Sequence, residues 1–167
     1  MARTRSASLA PIGGAALVLL LASLGLPARA FTLSAATDPV NDAGQQLTVE
    51  NESVALTFLG AAASLDEEVG VGSPAAPQTL SCKHSTPGLT ISGGQYTAAT
   101  ELILLLDTSD GSTWFTGPRS RNDDGFAHAR LTQTGSESVL LQWEDLPHGG
   151  DRDYNDCVVE IVITPLR

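Results

Sequence analysis

Residues 143–156 read WEDLPHGGDRDYND and run directly into the apolar stretch 157–163. Five carboxylates, Glu144, Asp145, Asp151, Asp153 and Asp156, together with the amide of Asn155, are packed into one turn-rich segment between two strand-like runs. Two like charges ~4 Å apart repel by roughly 4 kcal/mol at the effective dielectric of a protein surface. Any fold that closes this segment must bring a cation, a proton or a basic partner to it. The segment itself supplies only Arg152 and His148.

Ligand chemistry narrows the cation. Ca²⁺ takes about six to eight oxygen ligands, whereas zinc favours His and Cys. Asp151, Asp153 and Asn155 stand at alternate positions of a D-x-[DN]-x-[DN] run, the opening half of a calcium loop. The second half is missing: Asp156 stands where an EF-hand has its turn glycine, Val162 where it has its bidentate Glu, and both flanks read as strands. The expectation is a DxDxND calcium loop on a β scaffold, with Asp151, Asp153, Asn155 and Asp156 as ligands and Glu144 and Asp145 completing or orienting the shell. The alternative is a solvated hairpin loop whose Asp and Asn side chains cap their own backbone.

Two further acidic turns, 107–111 and 122–125, make Asp107, Asp110, Asp123 and Asp124 lesser ligand candidates; Asp110-Gly111 is in itself an ordinary hairpin signal. His128 lies in the alternating run 126–131, where it reads as a hydrogen-bonded structural residue that could also support the acidic site. Asp66, Glu67 and Glu68 fall in the Ala-, Gly-, Ser- and Pro-rich stretch 61–77, which reads as a long surface loop with solvated acids.

Periodicity supplies the scaffold. Residues 46–50 and 53–59 alternate as two strands around a polar Asn51-Glu52 turn, and 79–82 and 89–92 are short strands separated by Pro87-Gly88. Gly93-Gly94 reads as a reversal, and 101–106, apolar without alternation, as a strand covered on both faces. On 157–163, Cys157, Val159, Ile161 and Ile163 share one face and form the core side. With no amphipathic helix between 31 and 167, the expected fold is an all-β sandwich of the jelly-roll kind, a single domain.

WEDLPHGGDRDYNDCVVEI resembles the C-terminal signature of the bacterial secreted and surface family known as domain of unknown function 4114. ELILLLDTSDGSTWF and NDDGFAHARL resemble that family's preceding segments, so the likeness spans about 101–163. The resemblance implies a β-sandwich-like module, often part of larger extracellular or adhesin-type proteins, with a Ca²⁺ site at its acidic turns. It implies no established activity.

The first thirty residues read as a cleaved signal peptide: Arg3 and Arg5, an apolar core over 15–26, and Ala28-Arg29-Ala30 as the cleavage site. Cleavage leaves about 137 residues, enough for one cored domain. All 19 acidic residues remain while three of the nine Lys and Arg are lost, which takes the formal charge from −10 to −13. Such a chain repels nucleic acid and anionic lipid. Export allows Cys82 and Cys157 to pair, and closing a loop of about 75 residues would stabilise the fold by up to about 4.5 kcal/mol.

The functional expectation is an exported, non-enzymatic, calcium-stabilised module of the periplasm, cell surface or extracellular space. Its partner would be an extracellular protein or glycan, with Trp114 the one aromatic suited to sugar stacking. A hydrolase using Glu144 with Asp153 is the enzymatic alternative, although no G-x-S-x-G, H-E-x-x-H or Cys-His arrangement is present. A metal-free structural component of an exported assembly is the third.

Overall fold

The computed structural model describes residues 31–35, 44–74, 76 and 78–167; the expected signal peptide, 1–30, lies outside them. The strands are β1 (Phe31–Ala35), β2 (Gln45–Val49), β3 (Glu52–Gly60), β4 (Glu67–Ser73), β5 (Thr79–Ser81), β6 (Thr90–Tyr96), β7 (Thr100–Thr108), β8 (Thr113–Phe115), β9 (Ala129–Gln133), β10 (Ser138–Trp143) and β11 (Cys157–Pro165). They form two antiparallel sheets, β1-β2-β7-β4-β5 with β8 also on β7, and β6-β3-β11-β10-β9. The sheets pack face to face as a sandwich. Among the described residues no helix is long and apolar enough to cross a membrane.

Strand alternation builds the core. Cys157, Val159, Ile161 and Ile163 are fully buried, as their shared face requires, and meet Leu102, Leu104 and Leu106 from the opposite sheet in one apolar cluster. On β7 the other face, Ile103 and Leu105, is only half-buried, so that strand is not covered equally on both sides. Cys82 and Cys157 are disulfide-bonded, with Cα atoms 5.7 Å apart, and join the edge of one sheet to the centre of the other.

Two expectations are corrected. The stretch 61–77 is not one long loop, because β4 occupies its middle and pairs with both β5 and β7. Gly93-Gly94 is not a reversal: β6 runs through it with a bulge, and a Cβ on Gly93 would sit 2.9 Å from Val54 Cγ1. The two strands expected around Asn51-Glu52 are present as β2 and β3, in different sheets, with Asn51 in the left-handed region at φ 57°.

Candidate metal centre

The acidic segment is the loop between β10 and β11, whose ladder closes on the pair Trp143↔Cys157. Its backbone is unusual. His148, Gly149, Gly150, Arg152 and Tyr154 all have positive φ, a conformation costing roughly 1–2 kcal/mol at each non-glycine position. The two glycines are required by contact as well. A Cβ on Gly149 would lie 2.2 Å from the Phe126 ring, and one on Gly150, at φ +37°, 2.4 Å from Glu144 Oε1.

Tandem Asx turns set the outer half of the loop: Asp153 N–H donates to Asp151 Oδ1 (3.2 Å) and Asn155 N–H to Asp153 Oδ1 (2.9 Å). The Asn155 amide also donates to Asp153, so Asn155 orients that carboxylate. Between them Tyr154 turns inward, 1% exposed, and its hydroxyl donates to the Ala127 carbonyl. This inward anchor leaves Asp151, Asp153 and Asn155 on the outside.

The inner half is held by an aromatic pair. Trp114 and His128 stack at 3.7 Å with their planes 8° apart. Trp114 Nε1 donates to the Asp145 carbonyl (2.7 Å), and His128 Nδ1 lies 2.8 Å from the Glu144 carbonyl. Glu144 N–H donates to the His128 carbonyl and Asp145 N–H to Asp156 Oδ2. The backbone of both acidic residues is thereby fixed from two sides. Trp114 is 5% exposed, so it is not a sugar-stacking face; its indole is a structural brace.

On this frame Glu144 becomes the hub. Oxygens of Glu144, Asp145 and Asp156 lie within 4.8 Å of one another, and so do oxygens of Glu144, Asp151 and Asp153. Each ionised pair at that spacing repels by roughly 3.5 kcal/mol at an effective dielectric of 20. Glu144 and Asp145 are buried, and Glu144 Oε2 has no hydrogen-bond partner. Burial, and then the charges of Asp156, Asp151 and Asp145, push the Glu144 carboxyl up to about 7 against the Tyr154 N–H that donates to it. Burial likewise raises Asp156, aided by Asp145 and Asp153. Arg152 is 5.2 Å from the Phe126 ring and Arg130 3.6 Å from that of Tyr154, so both nearby guanidinium groups face aromatic rings.

Glu67 is the residue sequence reading misplaced. It opens β4, is 1% exposed, and neither carboxylate oxygen meets an N–H or hydroxyl donor. Burial raises its carboxyl strongly, a side-chain hydrogen bond shared with Asp145 adds to the shift, and the charges of Asp145 and Asp156 add further. Its backbone carbonyl takes the Cys82 N–H at 2.9 Å, and its carboxylate lies within 4.8 Å of both bridged sulfurs. With Asp66, Glu68, Asp107 and His84 it lines a groove of about 350 Å³.

The lesser candidates are engaged elsewhere. Asp107 accepts from Thr113, and Asp110 from Thr108 and Ser112, within their own turn. Asp123 is exposed and lines a separate groove with Asp124. Asp124 Oδ2 receives the His148 N–H and faces His128 Nε2 at 3.0 Å, while its Oδ1 takes the Phe126 N–H. Burial works to raise it, but these donors outweigh burial and hold it below the usual carboxylate range. His128 thus links two acidic turns from a fully buried position.

Comparison with curated proteins and with solved structures yields no match. The stacked Trp114, the His128 brace and the whole Glu144 loop fall inside one stretch, residues 100–164, that matches the family model described as domain of unknown function (DUF4114).

Proposed function

We propose that the chain is an exported, non-enzymatic β-sandwich module whose β10–β11 loop binds Ca²⁺, and that the ion rigidifies a surface used in attachment to an extracellular protein or glycan. The observation that carries this reading is Glu144: a buried carboxylate with an unpartnered oxygen, flanked by Asp145 and Asp156 on one side and by Asp151 and Asp153 on the other. All the donors are oxygens, which suits a hard cation of flexible coordination. The disulfide supports an oxidising compartment.

Thermal unfolding of the oxidised protein tests it, in excess chelator and then in millimolar Ca²⁺, with Mg²⁺ as control. A Ca²⁺-selective rise in Tm that Glu144→Gln loses is expected. An unchanged Tm would leave the loop a solvated one and return the chain to a metal-free structural role.

A second reading draws on the same carboxyl. Glu144, raised to about 7, has an oxygen within 4.8 Å of one from Asp153, and a raised acid beside a second carboxyl group is the equipment of a carboxylate hydrolase. Hydrolysis of a polysaccharide panel, abolished in folded Glu144→Gln, would favour it over the binding module.

A further inference from the structure

Glu67, Cys82 and Cys157 converge on one buried point from both sheets. Glu67 opens β4, Cys82 follows β5 and Cys157 opens β11. The three are 1%, 3% and 0% exposed, and a Glu67 carboxylate oxygen and both sulfurs lie within 4.8 Å of one another. The Cys82 N–H, donated to the Glu67 carbonyl at 2.9 Å, fixes two of the three side chains relative to each other.

The bridged chain gives the Glu67 carboxylate nothing to do. No N–H or hydroxyl donates to either oxygen, and its hydrogen-bonding neighbour is a second acid, Asp145. A buried carboxylate left in that state requires an explanation, and the sulfurs beside it supply one once they are thiolates. Two thiolates and a carboxylate form a donor set suited to zinc. Bonds of about 2.3 Å to sulfur and about 2.0–2.2 Å to oxygen, at tetrahedral angles, place ligand atoms about 3.6–3.8 Å apart. The carboxylate already lies near that spacing, and cysteines whose Cα atoms are 5.7 Å apart reach it by side-chain rotation.

We infer that the unbridged chain, the form a reducing compartment keeps, holds one thiophilic divalent cation, Zn²⁺ by its ligand class, on Cys82, Cys157 and Glu67, with the fourth position left to water. The ion and the disulfide are then alternative ties between the β4–β5 edge of one sheet and β11 at the centre of the other. A dithiol opens the bridge by supplying two electrons and two protons and is itself oxidised to its disulfide; the ion then displaces both thiol protons to solvent. No acid of the β10–β11 loop enters this ligand set, so the site stands or falls apart from the loop's Ca²⁺.

Titration of the metal-free chain, reduced with a phosphine, tests it with Co²⁺ as the spectroscopic stand-in for Zn²⁺ and with millimolar Ca²⁺ present to occupy the loop acids. A thiolate-to-cobalt charge-transfer band that saturates at one ion per chain and is bleached by Zn²⁺ is expected, absent from the oxidised chain and from Cys82→Ala/Cys157→Ala. In competition with a chromophoric chelator, Glu67→Gln should weaken Zn²⁺ by more than the roughly tenfold that loss of a mere supporting partner costs, whereas Glu68→Gln, its exposed neighbour, should leave the affinity unchanged. Near-ultraviolet dichroism follows folding, and recovery of the native spectrum by Zn²⁺ in a reduced chain that is otherwise unfolded supports the site. Cobalt binding without the thiolate band, equal affinities for Glu67→Gln and the unaltered chain, or a reduced chain that neither folds nor binds overturns it.

Discussion

Removing the disulfide as Cys82→Ala/Cys157→Ala should cost the fold about 4 kcal/mol. The bridge has a sequence separation of 75, and the loop-entropy relation for a loop of about that length gives roughly 4.5 kcal/mol of destabilisation once the unfolded chain is released. Both sulfurs are buried, so their loss also leaves small voids, while relaxation around them recovers part of the total. Against a total stability of about 5–15 kcal/mol, the variant should still fold, but with a much lower urea midpoint. Because the unlinked chain exposes more surface when unfolded, the urea m-value should rise as well. Equilibrium urea unfolding of oxidised and variant protein measures both quantities. A loss below about 1 kcal/mol with an unchanged m-value would refute the reasoning, since it would mean that the sheets need no covalent tie. The bridge also braces the acidic end: Cys82 N–H donates to the Glu67 carbonyl, and Cys157 follows Asp156 in the chain.

Three other outcomes can be checked. With ion removed, the proton held by folded Glu144 is already lost from an unfolded glutamate near 4.3, so stability should fall as pH rises from about 4.3 to about 7. Halved for solvent screening, the fall from pH 5 to 7 is about 1 kcal/mol in urea titrations, with Glu67 and Asp156 acting in the same direction; a rise with pH would contradict it. Gly150→Ala, which drives a methyl onto Glu144, should lower Tm and weaken Ca²⁺ binding about tenfold, whereas Gly88→Ala, at φ +93° with no atom within 4 Å, should lower Tm alone; equal affinities in the two would contradict it. Trp114→Phe leaves the Asp145 carbonyl without its indole donor and should cost about 1–3 kcal/mol in thermal unfolding, with no measurable loss counting against the brace.

The loop and its exit strand were legible because both signals are local. Five acids in one short run and period-two alternation over 157–163 need no knowledge of partners. β4 was hidden by its glycines. In EEVGVGS two of the alternate positions, Gly70 and Gly72, carry no side chain, since a Cβ on Gly72 would lie 2.8 Å from Leu105 Cδ2 and one on Gly70 3.1 Å from Thr79 Cγ2. The same rule, applied to Glu67, Val69 and Val71, places Glu67 on the core face; that was the available signal, masked by the neighbouring acids. Sheet membership was not legible. Asn51-Glu52 looks like a hairpin turn, yet β2 pairs with β7 and β3 with β11, through contacts far apart in the chain.

Five buried side-chain atoms among the described residues have no N–H, hydroxyl or carbonyl partner: both oxygens of Glu67, Glu144 Oε2, Trp143 Nε1 and, at the far end of β3, Glu52 Oε2. Four of the five therefore surround the acidic loop. A protonated buried carboxyl whose neighbour is another acid contributes little that an apolar side chain of similar size would not improve. If Glu67 only ever holds a proton, Glu67→Met should stabilise the bridged chain and the reduced chain in Zn²⁺ by similar amounts. If it holds an ion once the bridge opens, the sign should cross: the variant gains stability when bridged, where the buried acid is a cost, and loses it when reduced in Zn²⁺, where the ion's binding energy is forfeited. Differential scanning calorimetry of the two forms reads both signs directly. A parallel shift in the two would place Glu67 among the merely tolerated features of the sandwich, while a crossing would make it the part of the fold that a cation completes.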